Sequence, residues 1–162
     1  MTAARAEAAA SSARPRRPAS AARAGERYVL DAQVGFLLRK AQQRATAIFL
    51  RQFGAHQLTP TQWAALAKLR QEGSLSQNRL GRLTAMDPAT IQGVIRRLAA
   101  RGLIAHLPDP KDRRRKSLAL TQAGATLVER LVAAAVAVSA ETLKPLAAEE
   151  RKRLLDLLAR LG

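Results

Sequence analysis

The chain's own helix punctuation cuts its middle into short pieces. Thr59-Pro60-Thr61-Gln62 is a strong start signal: Thr59 can cap, Pro60 has no amide to leave unpaired at the first helical position, and Gln62 completes a capping box. Asp87-Pro88 repeats the arrangement of cap followed by proline. Gly54, Gly73 and Gly102 supply the stops. Three short helices fit between these marks. The first begins at Pro60 with Trp63, Leu66 and Leu69 pointing inward, the second runs from about Ser76 to Thr84 before a turn at Ala85-Met86, and the third runs from Pro88 to Arg101. Beyond Gly102, two strand-like runs, Leu103 to Leu107 and Leu118 to Leu120, enclose a turn centred on Asp109-Pro110.

Longer helices flank this unit. From Asp31, the residues Val34, Leu38, Ala41, Ala45, Ile48 and Gln52 recur at spacings of three and four, with Leu37 and Phe49 widening the stripe, which predicts one amphipathic helix to about Phe53. After Thr121 as a cap, Leu127, Val128, Leu131, Val132, Ala135 and Val138 predict a second long helix. Leu154, Leu155, Leu157, Leu158 and Leu161 follow beyond Pro145. This is much apolar surface at the end of a small chain. It completes either an intramolecular core or, better, a subunit interface built from both ends of the sequence. Residues 1–26 are Ala, Arg, Ser and Pro with no large aliphatic side chain after Met1, and so cannot offset their ordering entropy by burial. They read as a flexible basic arm, with an extra DNA-tracking role or a transit peptide as the sharper alternatives.

The formal charge of +16 on 162 residues is most easily understood if the partner is a polyanion, and the charge remains strongly positive without the arm. No apolar run approaches the roughly 18 to 20 residues that span a bilayer, so a membrane-spanning protein and a membrane partner are not expected. The chain has no cysteine, which removes disulfides, thiolate zinc sites and iron-sulfur clusters. A metal site on His56 and His106 would need carboxylates at spacings the sequence does not offer, and no cofactor is expected. A Gly-rich phosphate loop, a nucleophile with its base and an acidic dyad are all missing, so an enzyme is not expected.

The helix from Pro88 carries the most chemistry. Ile91, Val94, Ile95 and Leu98 share one face and must pack inward, which turns Ala89, Gln92, Gly93, Arg96 and Ala100 outward. Small residues at Ala89 and Gly93 let the backbone approach a duplex, while Gln92 and Arg96 suit the base edges of adenine and guanine. Thr90 is a candidate phosphate ligand, and Arg97 and Arg101 on the flank suit phosphate or acidic neighbours. In the hairpin, Asp112 can hold Arg114 in a fixed direction for a minor groove, leaving Lys111, Arg113, Arg115 and Lys116 for phosphates.

Together Leu58-Thr59-Pro60 with Gln62-Trp63, Leu75-Ser76-Gln77 leading to Leu80, Thr90, Arg97-Leu98 with Gly102-Leu103-Ile104, and Asp109-Pro110-Lys111-Asp112-Arg113-Arg114 running to Leu120-Thr121 and Gly124 resemble the MarR family of transcription regulators over roughly Asp31 to Leu161. The resemblance implies a mainly α fold with a small β-hairpin wing, a winged helix-turn-helix that forms a homodimer through N- and C-terminal helices. It implies residues 27–57 and 122–162 for dimerisation, 58–121 for the DNA-binding lobe, a pseudo-palindromic double-stranded operator, and repression relieved by a small ligand in the cytoplasm. Asp112 and Arg114 stand at the family's wing Asp-x-Arg positions, with Arg113 and Arg115 beside them leaving open which arginine enters the groove. Ser76 and Gln77 join the expected DNA-facing set. For an effector, the family implies a site between dimerisation helices and lobe, taking an aromatic or phenolic acid or an acyl-coenzyme A thioester. The residue types then point to Phe36, Arg39, Lys40, Gln43, Phe53, His56 and Trp63. A sequence-indifferent architectural DNA-binding protein without ligand sensing is the alternative that charge alone would support.

Overall fold

A computed structural model describes residues 28–108 and 116–162 of the chain. The basic arm, residues 1–26, and the wing residues Lys111, Asp112, Arg113, Arg114 and Arg115 lie outside the described residues. A 3-10 turn, Leu30–Ala32, leads into α1 (Val34–Phe53), then α2 (Pro60–Glu72), β1 (Leu75–Ser76), α3 (Gln77–Leu83) and α4 (Pro88–Ala100). Strands β2 (Ile104–Pro108) and β3 (Lys116–Leu120) follow, and α5 (Gln122–Leu143) and α6 (Ala148–Ala159) close the order.

The start signals work as their chemistry requires. Thr59 Oγ1 accepts from the Gln62 amide at 3.2 Å while the Gln62 side chain accepts from the Thr59 amide at 3.0 Å, and both are satisfied although Gln62 is buried. Asp87 caps α4 by accepting from the Thr90 amide at 2.9 Å, and Ser76 caps α3 by accepting from the Arg79 amide at 3.3 Å. Gly73 and Gly102 both take positive φ, as a chain leaving a helix in that way demands. Gly54 behaves otherwise. It stays in the right-handed region, α1 tightens into a 3-10 turn over Gly54–His56, and the left-handed residue is Gln57, with φ 51°.

One aliphatic core joins the lobe. Leu66 and Leu69 of α2, Leu80 of α3, and Ile91, Val94, Ile95 and Leu98 of α4 are all buried, together with Leu103, Ile104 and Leu118 of the strands. Gly81 lets α3 and α4 come together, because a Cβ there would sit 3.3 Å from the Met86 carbonyl and 3.4 Å from Ile91. Strand β1 is an addition that two residues of sequence did not advertise. It pairs antiparallel with β3, Leu75 opposite Leu118, and makes the sheet three-stranded in the order β1-β3-β2. In the β2–β3 ribbon burial fades from Ile104 toward Pro108, which pairs with Lys116 at the far end. The described part of the ribbon therefore ends, at Pro108 and Lys116, remote from the core.

The flanking helices are a different matter. α1 and α5 pack on one another, and Arg44 of α1 donates to the Glu141 and Thr142 carbonyls, a cation at the negative end of α5. Only the last turns of the expected α1 stripe are buried, at Ile48, Phe49 and Phe53. Val34, Leu37 and Leu38 remain exposed, α6 buries no residue, and Leu155, Leu157, Leu158 and Leu161 face out. Within one chain the core has room for only one end of α1, so the periodicity marked a face without saying what covers it. The expectation that no segment approaches bilayer-spanning length also needs correction. α5 is 22 residues long and apolar enough by length and composition, because among its many alanines, valines and leucines only Glu129, Arg130 and Glu141 are charged. Core helices of soluble proteins meet the same description, and α5 packs against α1, α2 and β3.

Candidate functional site

Helix α4 turns its apolar side into the core, and its other side forms the floor of an open concavity. Gln77 of α3, Ala89, Gln92, Gly93 and Arg96 of α4, and His106 of β2 line it together. Five of the residues expected to face DNA thus converge from two helices on one surface, and His106 joins them from the sheet. It shares a face with buried Ile104, two residues earlier, and is exposed because burial fades along β2 toward Pro108, a signal legible only once the strand's placement is known. Ala89, Gln92 and Arg96 are exposed, and Gly93 is half-buried because the Arg97 guanidinium lies over it, 3.5 Å from where a Cβ would stand.

The geometry gives three further residues of the expected set partners within the chain. The Thr90 hydroxyl donates to Asp87 Oδ2 and its amide to Oδ1, so in this structure both its donors serve the cap of α4 rather than a phosphate. Those two bonds, the hydroxyl first, hold the Asp87 carboxyl below the usual carboxylate range. Ser76 is similarly engaged through its hydroxyl oxygen as the α3 cap. Arg101 reaches back, its guanidinium donating at 2.9 Å to both the Gln57 and His56 carbonyls. It ties the end of α4 to the turn after α1 and is neither a phosphate nor an acidic-neighbour ligand here.

The expected effector residues do not form one site within the chain. Phe36 and Phe53 lie 17 positions apart on α1, roughly 25 Å along its axis. Lys40 sits over the Phe36 ring at 5.5 Å and near Asp31 at 3.9 Å, while Arg39 and Gln43 are exposed on the same half of the helix. Phe53 is wholly buried, stacked on Phe49 at 4.1 Å and meeting Trp63 edge-on at 5.0 Å, so it is a core residue. His56 contributes its backbone carbonyl to Arg101. Trp63 opens onto a cleft, with a volume of about 390 Å³, between α2 and α5. Arg70 stands in the same cleft opposite Val132 and Val136, a cation the sequence reading overlooked because Glu129, its partner at 2.8 Å, is distant in sequence. Among the described residues, no three His, Asp or Glu side chains group to hold a metal ion.

Two short capped helices crossing beneath a β-ribbon define a winged helix-turn-helix protein. The MarR family model matches residues 58–116. The chain is 43% identical over 144 residues to the HTH-type transcriptional repressor NicR of Pseudomonas putida, covering 89% of this chain and 91% of that protein. A solved structure of a probable transcriptional regulator from Pseudomonas aeruginosa is 51% identical with a TM-score of 0.77, covering 83% of this chain and all of that one. A second, concerned with the regulation of DNA binding of Bordetella bronchiseptica BpsR by 6-hydroxynicotinic acid, is 40% identical with a TM-score of 0.79, covering 84% and 97%. The chain belongs to the MarR family of transcription regulators and is not an enzyme.

Proposed function

We propose that two copies of this chain assemble through α1, α5 and α6, hold their α4 helices on a pseudo-palindromic operator, and repress transcription until a small aromatic acid binds. The observation that carries the DNA contact is the convergence of Gln77, Gln92, Arg96 and His106 on one open surface beside the small residues Ala89 and Gly93. Arg96 and Gln92 supply base-edge donors and acceptors, the absence of bulk admits the duplex backbone, and His106 contacts the strand between α4 and the wing. Lys111, Arg113, Arg115 and Lys116 neutralise phosphates, with Asp112 orienting Arg114 toward the minor groove.

Dimerisation is supported by the apolar residues that the lobe does not cover. Val34, Leu37 and Leu38 near one terminus and Leu155, Leu157 and Leu158 near the other are too numerous for a solitary surface, and a stable interface buries about 1,200 to 2,000 Å². On this reading residues 27–57 and 122–162 make the dimer, 58–121 the reading lobe, and 1–26 an electrostatic arm. For the effector, a cleft of about 390 Å³ with a tryptophan and an arginine suits a monocyclic acid better than an acyl-coenzyme A thioester. The likeness to a Bordetella protein whose DNA binding is regulated by 6-hydroxynicotinic acid supports the same class. The test is the affinity for DNA upstream of the chain's own gene against random duplex at fixed salt. A ratio of about 10³ or more is expected, and a ratio near one would overturn sequence-specific regulation in favour of an architectural binder.

A further inference from the structure

We propose that His106 is a proton-dependent DNA contact: its charged imidazolium, rather than its neutral ring, binds a backbone phosphate beside α4. The protein then takes up protons as it closes on DNA and binds more tightly as pH falls. The inference rests on the DNA reading above and adds a regulation to that surface.

His106 stands at the rim of the core. It shares a face of β2 with buried Ile104 and lines the concavity over α4 with Gln92, Ile95 and Arg96, yet it is itself exposed. Strand pairing fixes its backbone, because Ala105, His106 and Leu107 stand opposite Ala119, Leu118 and Ser117 of β3. A short side chain on a paired strand loses less freedom in reaching a phosphate than a long lysine does. His56, the chain's other histidine, lies in the turn after α1 and does not line the concavity.

Among the described residues that line the concavity, Arg96 is the fixed charge, and the others besides His106, Gln77 and Gln92 included, are uncharged. Charged groups on the surrounding elements are engaged elsewhere or stand apart. On α3, Arg79 turns to Glu72 at 3.5 Å, and on α4, Asp87 is held by Thr90 while Arg97 lies over Gly93. On β3, the residue opposite His106 is Leu118, and Lys116 stands at the end of the ribbon. On this surface the imidazolium therefore gains an anionic partner when DNA supplies one. Imidazole is the side chain whose charge changes between about pH 5 and 8, and a phosphate at hydrogen-bond range favours the charged form. Forming the complex draws a proton onto the ring, and a complex that holds more protons than its separate parts gains affinity as pH falls. Arg96, charged throughout, anchors the duplex at every pH and leaves the modulation to His106.

Anisotropy titration of the full-length protein with DNA upstream of its own gene, at about pH 6 and about pH 8 and one ionic strength, tests this. Wild type is expected to bind about fivefold or more tightly at the lower pH, the difference between a charge-assisted and a neutral hydrogen bond. His106→Gln keeps a hydrogen-bonding side chain without the change of charge and is expected to lose that gain. His106→Arg carries the charge throughout and is expected to bind about fivefold or more tightly than wild type at about pH 8, an improvement that misfolding cannot mimic. Calorimetry of the complex in buffers of different ionisation enthalpy is expected to show proton uptake in wild type and its loss in His106→Gln. A pH response as large in His106→Gln as in wild type, or His106→Arg binding no more tightly than wild type at about pH 8, overturns the proposal while the DNA reading stands. Arg96→Ala and His106→Ala both binding as wild type does at about pH 6 takes DNA off this surface, and the proposal falls with the reading it rests on.

Discussion

Gly124 stands where α5 leaves the sheet, and replacing it with alanine tests whether that junction is as tight as its geometry indicates. A Cβ on Gly124 would lie 2.0 Å from the Leu103 carbonyl oxygen and 3.0 Å from its carbon, both backbone atoms that no rotamer change can move away. Restoring ordinary contact at 3.4 Å opens the junction by about 1.4 Å. The same carbonyl accepts from the Thr121 amide at 3.1 Å, Thr121 Oγ1 donates to the Gly102 carbonyl at 2.7 Å, and the Gly124 amide donates back to Thr121 Oγ1 at 3.0 Å. Overpacking costs about 1 to 3 kcal/mol, and two disrupted hydrogen bonds about 1 kcal/mol each. The better helix propensity of alanine offsets roughly 1 kcal/mol. Gly124→Ala should therefore destabilise by about 2 to 4 kcal/mol, which for a chain of this size lowers Tm by roughly 5 to 15 °C. The assay is thermal unfolding by circular dichroism at one protein concentration, since a dimer's Tm depends on it. Gly54→Ala is the control: its backbone is right-handed and nothing lies within 4 Å of a new Cβ, so Tm should hold or rise. A Gly124→Ala protein as stable as wild type would refute the contact, and with it the rigid coupling of lobe to α5.

Arg96→Ala should weaken operator binding by about 1 to 3 kcal/mol with a smaller loss on random duplex, as gel shift or anisotropy on both DNAs will measure. His106→Ala should cost about 0.5 to 1.5 kcal/mol on the operator, one hydrogen bond's worth, and an unchanged titration would remove it from the interface. Each of Lys111, Arg113 and Arg115 changed to alanine should reduce the slope of log affinity against log salt by about 0.9, and an unaltered slope would take that residue off the phosphates. The Asp87 cap should show itself in acid. Its carboxyl is held below the usual range by Thr90, so its contribution is complete at neutral pH and is lost as pH falls below the unfolded value near 3.8 and through the lowered folded one. Asp87→Asn should keep the cap and flatten that acid limb in Tm against pH, whereas Asp87→Ala should lower Tm at neutral pH and leave the same limb shallow.

What could be read without coordinates was whatever neighbours in sequence decide among themselves. A cap and the amide it serves are three residues apart, and so Thr59 with Gln62 and Asp87 with Thr90 are legible as pairs. The inward face of α4 is legible too, because helical spacing places Ile91, Val94, Ile95 and Leu98 together before any partner exists. Periodicity also marked α1 and α6 as apolar, although it does not say whether their own chain or another covers that face.

Tertiary structure decided which side chains remained free to act. Phe53 and Trp63 are both aromatic near one end of α1 and one start of α2, yet packing seals the first between Phe49 and Trp63 and leaves the second at a cleft. Arg101 resembles its neighbours on the page and is consumed by two carbonyls more than 40 residues away, while His106 is brought to Arg96 by the register of a strand. Arg70 and Glu129 meet only because α2 and α5 cross. The sequence alone determined the helices, their caps and the sign of the charge, because those are local or additive. The chain's path through space determined the interface and the cleft, because contacts between distant residues have no local signature.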